Sequence, residues 1–287
     1  MKISVITPSF NNSEWLKACV ASVADQGSVL QEHIVQDACS TDGTREWLAR
    51  DPRVRAFFEK DAGMYDAVNR GLGRAHGEIV CYLNCDEQYL PGALHEVKEF
   101  FLQHPEIDVC LADTIIVNGE GNYLCHKLAL VPGKWGIWVR FPVITAALFL
   151  RSATLRQKGL RFDTRWKDYG DIFFVMELIR AGCRFGVLPA FTSVFTDTGE
   201  NMNLKPNAQK ERRQKESMAP LPARLFYPWL LLVYLFRQLL RGAFTRKPFE
   251  YRVFTPGSAG ISERTRFFAS SPTMFWPGRS RWSGSKA

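Results

Sequence analysis

The chain has 287 residues, 46% apolar and 23% charged, which excludes a disordered or fibrous polymer and leaves room for one large domain with an appendage. Its charge is divided unevenly: residues 1–200 hold 21 Lys and Arg against 25 Asp and Glu, whereas residues 201–287 hold 16 against 4. The seven cysteines are scattered without a CxxC pair, which argues against a disulfide framework or a common zinc module and reads as reduced thiols of a cytoplasmic protein.

Taken in chain order, the first half alternates. ISVITPSF (Ile3–Phe10) is too short and too β-branched for a signal-peptide core and reads as a first strand. SEWLKACVASVADQ follows, with Ser13 as a capping residue and Trp15, Leu16, Cys19, Val20 and Val23 spaced along one helix face. EHIVQDA is a short strand, STDGTREWLAR a turn and helix, VRAFFEKDAG a strand and turn, and MYDAVNRGLGRAHG a helix. EIVCYLNCDEQY is a strand that runs into an acidic turn, and Pro91 opens the next helix. Beyond it the pattern is more strand-like, with a hairpin turn expected at Asn118-Gly119, and GDIFFVMELIRAG is a further helix. Strands alternating with helices predict an α/β sandwich with a Rossmann-like sheet, whose ligands bind at the carboxyl ends of the strands. Ser9, Asn11, Asp37, Asp61, Asn84 and Asp86 all fall at or just after predicted strand ends, and so on one rim.

Four segments of that rim carry candidate chemistry. Carboxylates are rarely buried alone, so the Asn84-Cys85-Asp86-Glu87 turn either faces water or holds a cation. Magnesium takes carboxylate oxygen and completes its shell with waters and substrate phosphates, which makes Asp86 the metal-ligand candidate. Asp37 can accept hydrogen bonds from a base or a ribose, while Ser40 and Asp42 suit turn and helix capping. Asp61 and Gly63 form a turn; Asp66 and Asn69 share a helix face, where an acid also complements the helix dipole. Asp171 precedes an apolar helix and suits a cap or a catalytic base equally. No GxGxxG or GxxxxGK[ST] stands at a strand–helix junction, which argues against a dinucleotide site or a P-loop, and no nucleic-acid-binding module is evident.

As an ordered set, VITPSFNN, VQDACSTDGT, EKDAGMYDAVNRG with the following GRAHGEIVCYLNCDEQYLPGAL, and YGDIFFVMELIRAG resemble the successive motifs of family 2 glycosyltransferases. The likeness covers roughly residues 1–200 and is nearest to the branch that builds bacterial exopolysaccharides such as colanic acid. It implies a GT-A fold, a nucleotide-sugar donor (UDP by default), inversion at the anomeric carbon, and Mg2+ or Mn2+ as cofactor. By the same resemblance Thr7, Pro8 and Ser9 line the nucleotide site and Asp37 binds the base. Asp61, Asp66, Asn84 and Cys85 belong to the donor site, Asp86 holds the metal, and Asp171 is the base. Two departures stand out: Asn84 replaces the first Asp of a DxD, and FTDTGENMN lacks a histidine that many relatives carry. A nucleotidyltransferase would need a Gly-rich, basic first loop that is missing here; a non-catalytic scaffold stays open. So do donor sugar, linkage and oligomeric state.

The sequence therefore divides into a catalytic domain (1–200), a basic linker or helix (201–222), an apolar segment (223–250) and an irregular basic tail (251–287). Leu225–Phe236 is continuously apolar but far short of the roughly 20 residues a spanning helix needs. With Trp229, Tyr234 and basic flanks it predicts a helix lying in a membrane interface, or one packed on a partner. The expectation is a protein peripheral to the inner face of the cytoplasmic membrane, acting on a lipid-linked glycan.

Overall fold

The computed structural model describes residues 1–199, 201, 206–255 and 263–277. The β-branched opening forms β1 (Ile3–Ser9), buried along its whole length. A strand buried on both faces belongs in mid-sheet. Accordingly β1 pairs in parallel with β2 (Leu30–Asp37) on one side and β4 (Ile79–Tyr82) on the other, and β3 (Arg55–Phe58) adds in parallel beyond β2. The connecting helices are α1 (Ser13–Ala24), α2 (Thr44–Leu48) and α3 (Met64–Arg74). The chain builds outward from β1 to β3, then returns to the far side of β1, and such a reversal opens a crevice beyond the strand ends. Helix α3 approaches β1 closely because position 71 is glycine: a Cβ there would fall 2.4 Å from Ile6 Cγ2.

The second half adds β5 (Glu87–Tyr89), α4 (Ala93–Gln103), β6 (Val109–Asn118), β7 (Tyr123–Lys127), α5 (Gly136–Val139), β8 (Leu148–Arg151), α6 (Ser152–Lys158), α7 (Gly170–Arg180) and β9 (Phe185–Asp197). These strands make the sheet mixed. β8 runs antiparallel between β4 and β6, β9 parallel to β6, and β5 antiparallel on β9. Across the described residues the order is β3-β2-β1-β4-β8-β6-β9-β5, with β7 paired to β6. The β6–β7 hairpin is present, but its turn is wider than Asn118-Gly119 suggested. Gly121 takes φ +88°, and Asn118 Oδ1 accepts the N–H groups of Glu120 and Asn122 at 3.1 and 2.8 Å.

The tail departs from expectation. Residues expected as a linker form α8 (Pro206–Ser217), then α9 (Leu221–Leu225) and α10 (Tyr227–Leu240). Part of the stretch expected to be irregular forms a hairpin, β10 (Phe249–Val253) with β11 (Thr265–Ala269). The signal was the period-2 alternation of Phe249, Tyr251 and Val253 with Glu250 and Arg252. Tyr251 Oη donates to the Gly121 carbonyl at 2.7 Å, and Trp276 Nε1 to Asp197 Oδ2 at 2.9 Å, so the hairpin and the segment after it are fastened to the large sheet. Residues 256–262 and 278–287 of that expected tail lie outside the described residues.

Helix α10 has its polar side inward. Gln238, 1% exposed, donates to the Leu128 carbonyl at 2.9 Å. Just past the helix, Arg241 Nη2 reaches both oxygens of the fully buried Asp113, at 2.7 and 2.8 Å. Trp229, Leu232, Phe236 and Leu240 recur at helical spacing and are 58 to 72% exposed. Among the described residues no helix is long and apolar enough to cross a membrane.

Candidate active site

Strands β1 and β4 end side by side: the Leu83 N–H still bonds the Ile6 carbonyl at 2.9 Å, then the chain leaves the sheet as Asn84-Cys85-Asp86-Glu87. Glu87 closes this turn, its Oε2 accepting the Asn84 N–H at 2.9 Å and its N–H donating to the Asn84 carbonyl at 3.0 Å. Three oxygens in this part of the rim are buried without a partner, Ser9 Oγ, Asn84 Oδ1 and Glu87 Oε1. Buried polar atoms nearly always find one, so these mark where a ligand's donors or a cation belong. Burial pushes the carboxyl of Asp86 up; burial, then the neighbouring charge of Asp86, push Glu87 up. A bound cation would reverse both effects. Among the described residues no group of three His, Cys, Asp or Glu side chains is placed to hold a metal. The donor set therefore fits a hard ion that takes its remaining ligands from water and phosphate.

Asp171 is the second residue of α7. Its N–H donates to Tyr65 Oη at 3.1 Å, and its Oδ1 accepts the Ile172 N–H at 2.7 Å. Burial pushes its carboxyl up to about 6, against the Ile172 N–H and the charges of Lys127 and Lys215, which lower it. Its own charge raises Glu87 and Tyr82. The glycine before it has a physical reason, since a Cβ at Gly170 would fall 2.5 Å from Tyr65 Cε2. Tyr65 can therefore lie under the helix start, stacked on Phe162 (5.3 Å), which in turn stacks on Phe174 (3.9 Å). Helix α8 braces the approach to α7: Glu211 accepts the N–H groups of Lys167, Asp168 and Tyr169 at 2.8, 2.9 and 2.9 Å.

The other expected residues divide into those at the open rim and those spent inside the fold. Thr7 has no exposed surface; its hydroxyl engages His33 Nε2 at 2.9 Å and Cys19 Sγ at 3.6 Å. Pro8 sits in the β1–β2 ladder opposite Gln36. Asp37 is also fully buried, its oxygens taking the Ser40 N–H at 2.8 Å and the Ser40 hydroxyl at 2.6 Å. It shapes the loop over it, where Asn11 and Cys39 both adopt positive φ, 47° and 63°. Such backbone is uncommon in non-glycine residues and clusters at ligand sites. Asp61 accepts the Gly63 N–H at 2.9 Å, and Asp66 accepts the Ala62 N–H at 3.0 Å and pairs with Arg70 at 2.8 Å. Both form the turn into α3, which Lys167 also holds by donating to the Ala62 carbonyl. Cys85 receives Asn12 Nδ2 at 3.2 Å. Ser13 does not cap α1 with its side chain; its N–H is taken by Asp42 Oδ2 at 2.9 Å. Asn69 is structural, exchanging two hydrogen bonds with the Phe162 backbone.

Four residues not singled out from the sequence join the site: Tyr65, Glu211, Lys215 and Asn201. Tyr65 read as helix face, and Glu211 and Lys215 lay hidden in a charged run. Asn201 falls within the segment noted for lacking a histidine, and its Nδ2 reaches Asp86 Oδ2 at 3.3 Å.

Parallel strands that reverse at β1 within a mixed sheet, with a polar turn at the ends of β1 and β4, make an α/β fold of GT-A type. The sequence profile of Glycosyl transferase family 2 matches residues 4–155, more than half of the chain, and the chain belongs to that family. TuaG of Bacillus subtilis is 37% identical over 106 residues, 35% of this chain and 42% of TuaG. The GalNAc(5)-diNAcBac-PP-undecaprenol beta-1,3-glucosyltransferase of Campylobacter jejuni is 34% identical over 104 residues, 34% of each chain. The chain thus matches well under half the length of either relative. The crystal structure of S. aureus TarS 1-349 in complex with UDP-GlcNAc superposes with a TM-score of 0.58 at 22% identity, covering 84% of this chain and 73% of that one, a likeness of fold.

Proposed function

We propose that this protein is an inverting glycosyltransferase that moves a sugar from a nucleotide-diphosphate donor, a UDP-sugar in the first instance, to a lipid-linked glycan in bacterial surface-polysaccharide assembly. The observation that carries the reading is the unpartnered oxygens of Ser9, Asn84 and Glu87 on the same rim as a base tuned toward neutrality. The TarS complex with UDP-GlcNAc supports the donor class, and the Campylobacter relative's name supports an acceptor on a lipid diphosphate.

The chain's own residues divide the work. Asp86, with Asn84 Oδ1 and Glu87 beside it, would hold Mg2+ or Mn2+, which supplies charge neutralisation for the departing diphosphate. Ser9 offers a hydroxyl to the nucleotide. Asp171 takes the proton from the acceptor hydroxyl as that oxygen bonds to the anomeric carbon. The bond to the diphosphate oxygen breaks, its electron pair leaves with the nucleotide, and entry opposite to departure inverts the centre. Positioned general-base catalysis contributes on the order of 10²–10⁴-fold. Tyr65 and Glu211 fix where Asp171 points.

The outward apolar side of α10 supports peripheral attachment to the cytoplasmic leaflet, with the basic residues of the tail adding about 1 kcal/mol each near an anionic surface. Titration calorimetry of UDP with Mg2+ tests the donor site: Asp86→Ala should weaken binding at least about tenfold, as loss of one charge-assisted ligand predicts. Flotation with phosphatidylglycerol vesicles tests attachment: wild type should float, and Trp229→Ser/Phe236→Ser should not.

A further inference from the structure

Directly after Asp86 the chain enters β5, three residues long and the last strand of the sheet order, with β9 as its strand neighbour. An edge strand leaves its outward backbone groups without a ladder partner, yet this one carries Glu87. Its support comes from the far end of the sequence. Gln88, 4% exposed, exchanges two hydrogen bonds with one residue of the C-terminal region: its Nε2 donates to the Phe254 carbonyl at 2.7 Å, and its Oε1 accepts the Phe254 N–H at 2.8 Å. Phe254 itself packs against Ala18 and Ala21 of α1. Arg264, just before β11, lies 4.7 Å from the Phe254 ring centroid, donates to the Tyr89 carbonyl at 2.9 Å and pairs with Asp25 at the end of α1 at 2.6 Å. Helix α1 adds Ser22 Oγ, which accepts the Tyr89 N–H at 3.2 Å.

The same region reaches the acidic turn a second way. Trp276 Nε1 donates to Asp197 Oδ2, and its ring meets that of Phe195 edge-on at 5.6 Å; Phe195 is the β9 residue paired with Glu87. Asp197 also accepts the Gly199 N–H at 3.2 Å. The loop that begins there brings Asn201 back to the sheet. Its Oδ1 accepts the Thr198 N–H at 2.9 Å, and its Nδ2 donates to the Thr196 carbonyl at 2.9 Å and to Asp86 Oδ2 at 3.3 Å. Both routes therefore end on neighbouring carboxylates of the one turn whose Asn84 Oδ1 and Glu87 Oε1 lack partners. The groups behind a metal's ligands set how well those ligands are aimed.

We infer that residues 249–255 and 263–276 position the metal-binding turn of the donor site, through Gln88 behind Glu87 and through Trp276 and Asp197 behind Asn201 and Asp86. This rests on the donor reading of that turn. It extends the donor site well beyond residues 4–155, which the family profile matches.

The test titrates the full chain with UDP at saturating Mg2+ by calorimetry, as wild type, Gln88→Met, Trp276→Leu, Asp86→Ala and Asp86→Ala/Trp276→Leu. Circular dichroism fixes a temperature at which each variant is folded. Gln88→Met and Trp276→Leu should each weaken UDP about tenfold, the lower end of what losing a partner behind a metal ligand costs. Asp86→Ala/Trp276→Leu should bind as Asp86→Ala does, because the contact acts through that carboxylate. Trp276 is half-buried, so its variant decides the matter if Gln88→Met unfolds. Lowered melting temperature with UDP affinity intact in every folded variant overturns the proposal and leaves the region a clasp on the fold. So does a tenfold loss that Trp276→Leu repeats in the Asp86→Ala background. If wild type binds no UDP, the donor reading fails, and Mn2+ titrated alone decides the positioning: weaker Mn2+ binding in the two variants supports it, and equal or absent binding overturns it.

Discussion

Removing the carboxylate of Glu211 should disable the base without touching it. Three consecutive N–H groups, of Lys167, Asp168 and Tyr169, converge on its two oxygens at 2.8 to 2.9 Å, immediately before α7 begins. Asn207 Nδ2 adds a fourth donor at 3.0 Å. Burial raises the Glu211 carboxyl, and these donors outweigh it and hold the group below the ordinary glutamate value. Each N–H left without a partner costs about 1–3 kcal/mol when fully buried. The segment is half-exposed, so water recovers part of that, and Glu211→Ala should cost about 2–3 kcal/mol in total. Glu211→Gln keeps one acceptor oxygen and should cost about half as much. The folded-state pKa is depressed, so this contribution is present above about pH 4.3, the unfolded value, and is lost as pH falls through the folded one. Urea unfolding at pH 7 and pH 4 reads the stability, and donor turnover reads the displacement of Asp171. Turnover should fall about 10–100-fold in the alanine variant with KM for the donor little changed, because misplacing a reacting group by about 1 Å is that costly. Wild-type midpoint and turnover in Glu211→Ala would refute the bracing role.

Turnover should rise with pH through about 6 and level off above it, because burial raises the Asp171 carboxyl to that value and only the ionised form is a base; a flat profile between pH 5 and 8 would contradict this. Glu87 is held protonated by burial and by Asp86, so its raised pKa costs stability as pH climbs through the folded value. Glu87→Gln should therefore melt higher than wild type at pH 8.5 without metal, and should lose the rise in Tm that Mg2+ gives the wild type. Arg241→Met leaves the buried carboxyl of Asp113 without its ion-pair partner, with the Ala129 N–H as its remaining hydrogen bond among the described residues, and should cost about 3–5 kcal/mol by urea unfolding, while Arg241→Met/Asp113→Leu should recover most of it.

The α/β alternation was legible because strand burial and helix periodicity are local signals, and they also put Ser9, Asn84 and Asp86 at strand ends; the role expected of Asp171 came from the family resemblance. The hydrogen-bond partners of Thr7 and Asp37 were not legible, because a side chain at a strand end turns either outward or back into the loop, and only the fold shows Thr7 on His33 and Ser40 on Asp37. Helix α8 read as a charged run since three N–H groups from a segment over forty residues away leave no trace in its own sequence. The apolar run of α10 was plain, but its direction was set by Gln238 and Arg241, single polar residues whose partners lie on and beside a distant strand.

The central claim is that one rim binds a nucleotide-sugar and deprotonates an acceptor. Purified protein should be assayed for hydrolysis and transfer with a panel of UDP- and GDP-sugars and Mg2+ or Mn2+, alongside Asp86→Ala and Asp171→Asn. The account predicts turnover of one donor, reduced at least about 100-fold in each variant. Turnover that survives both substitutions, or no binding of any nucleotide under any of these conditions, would contradict it.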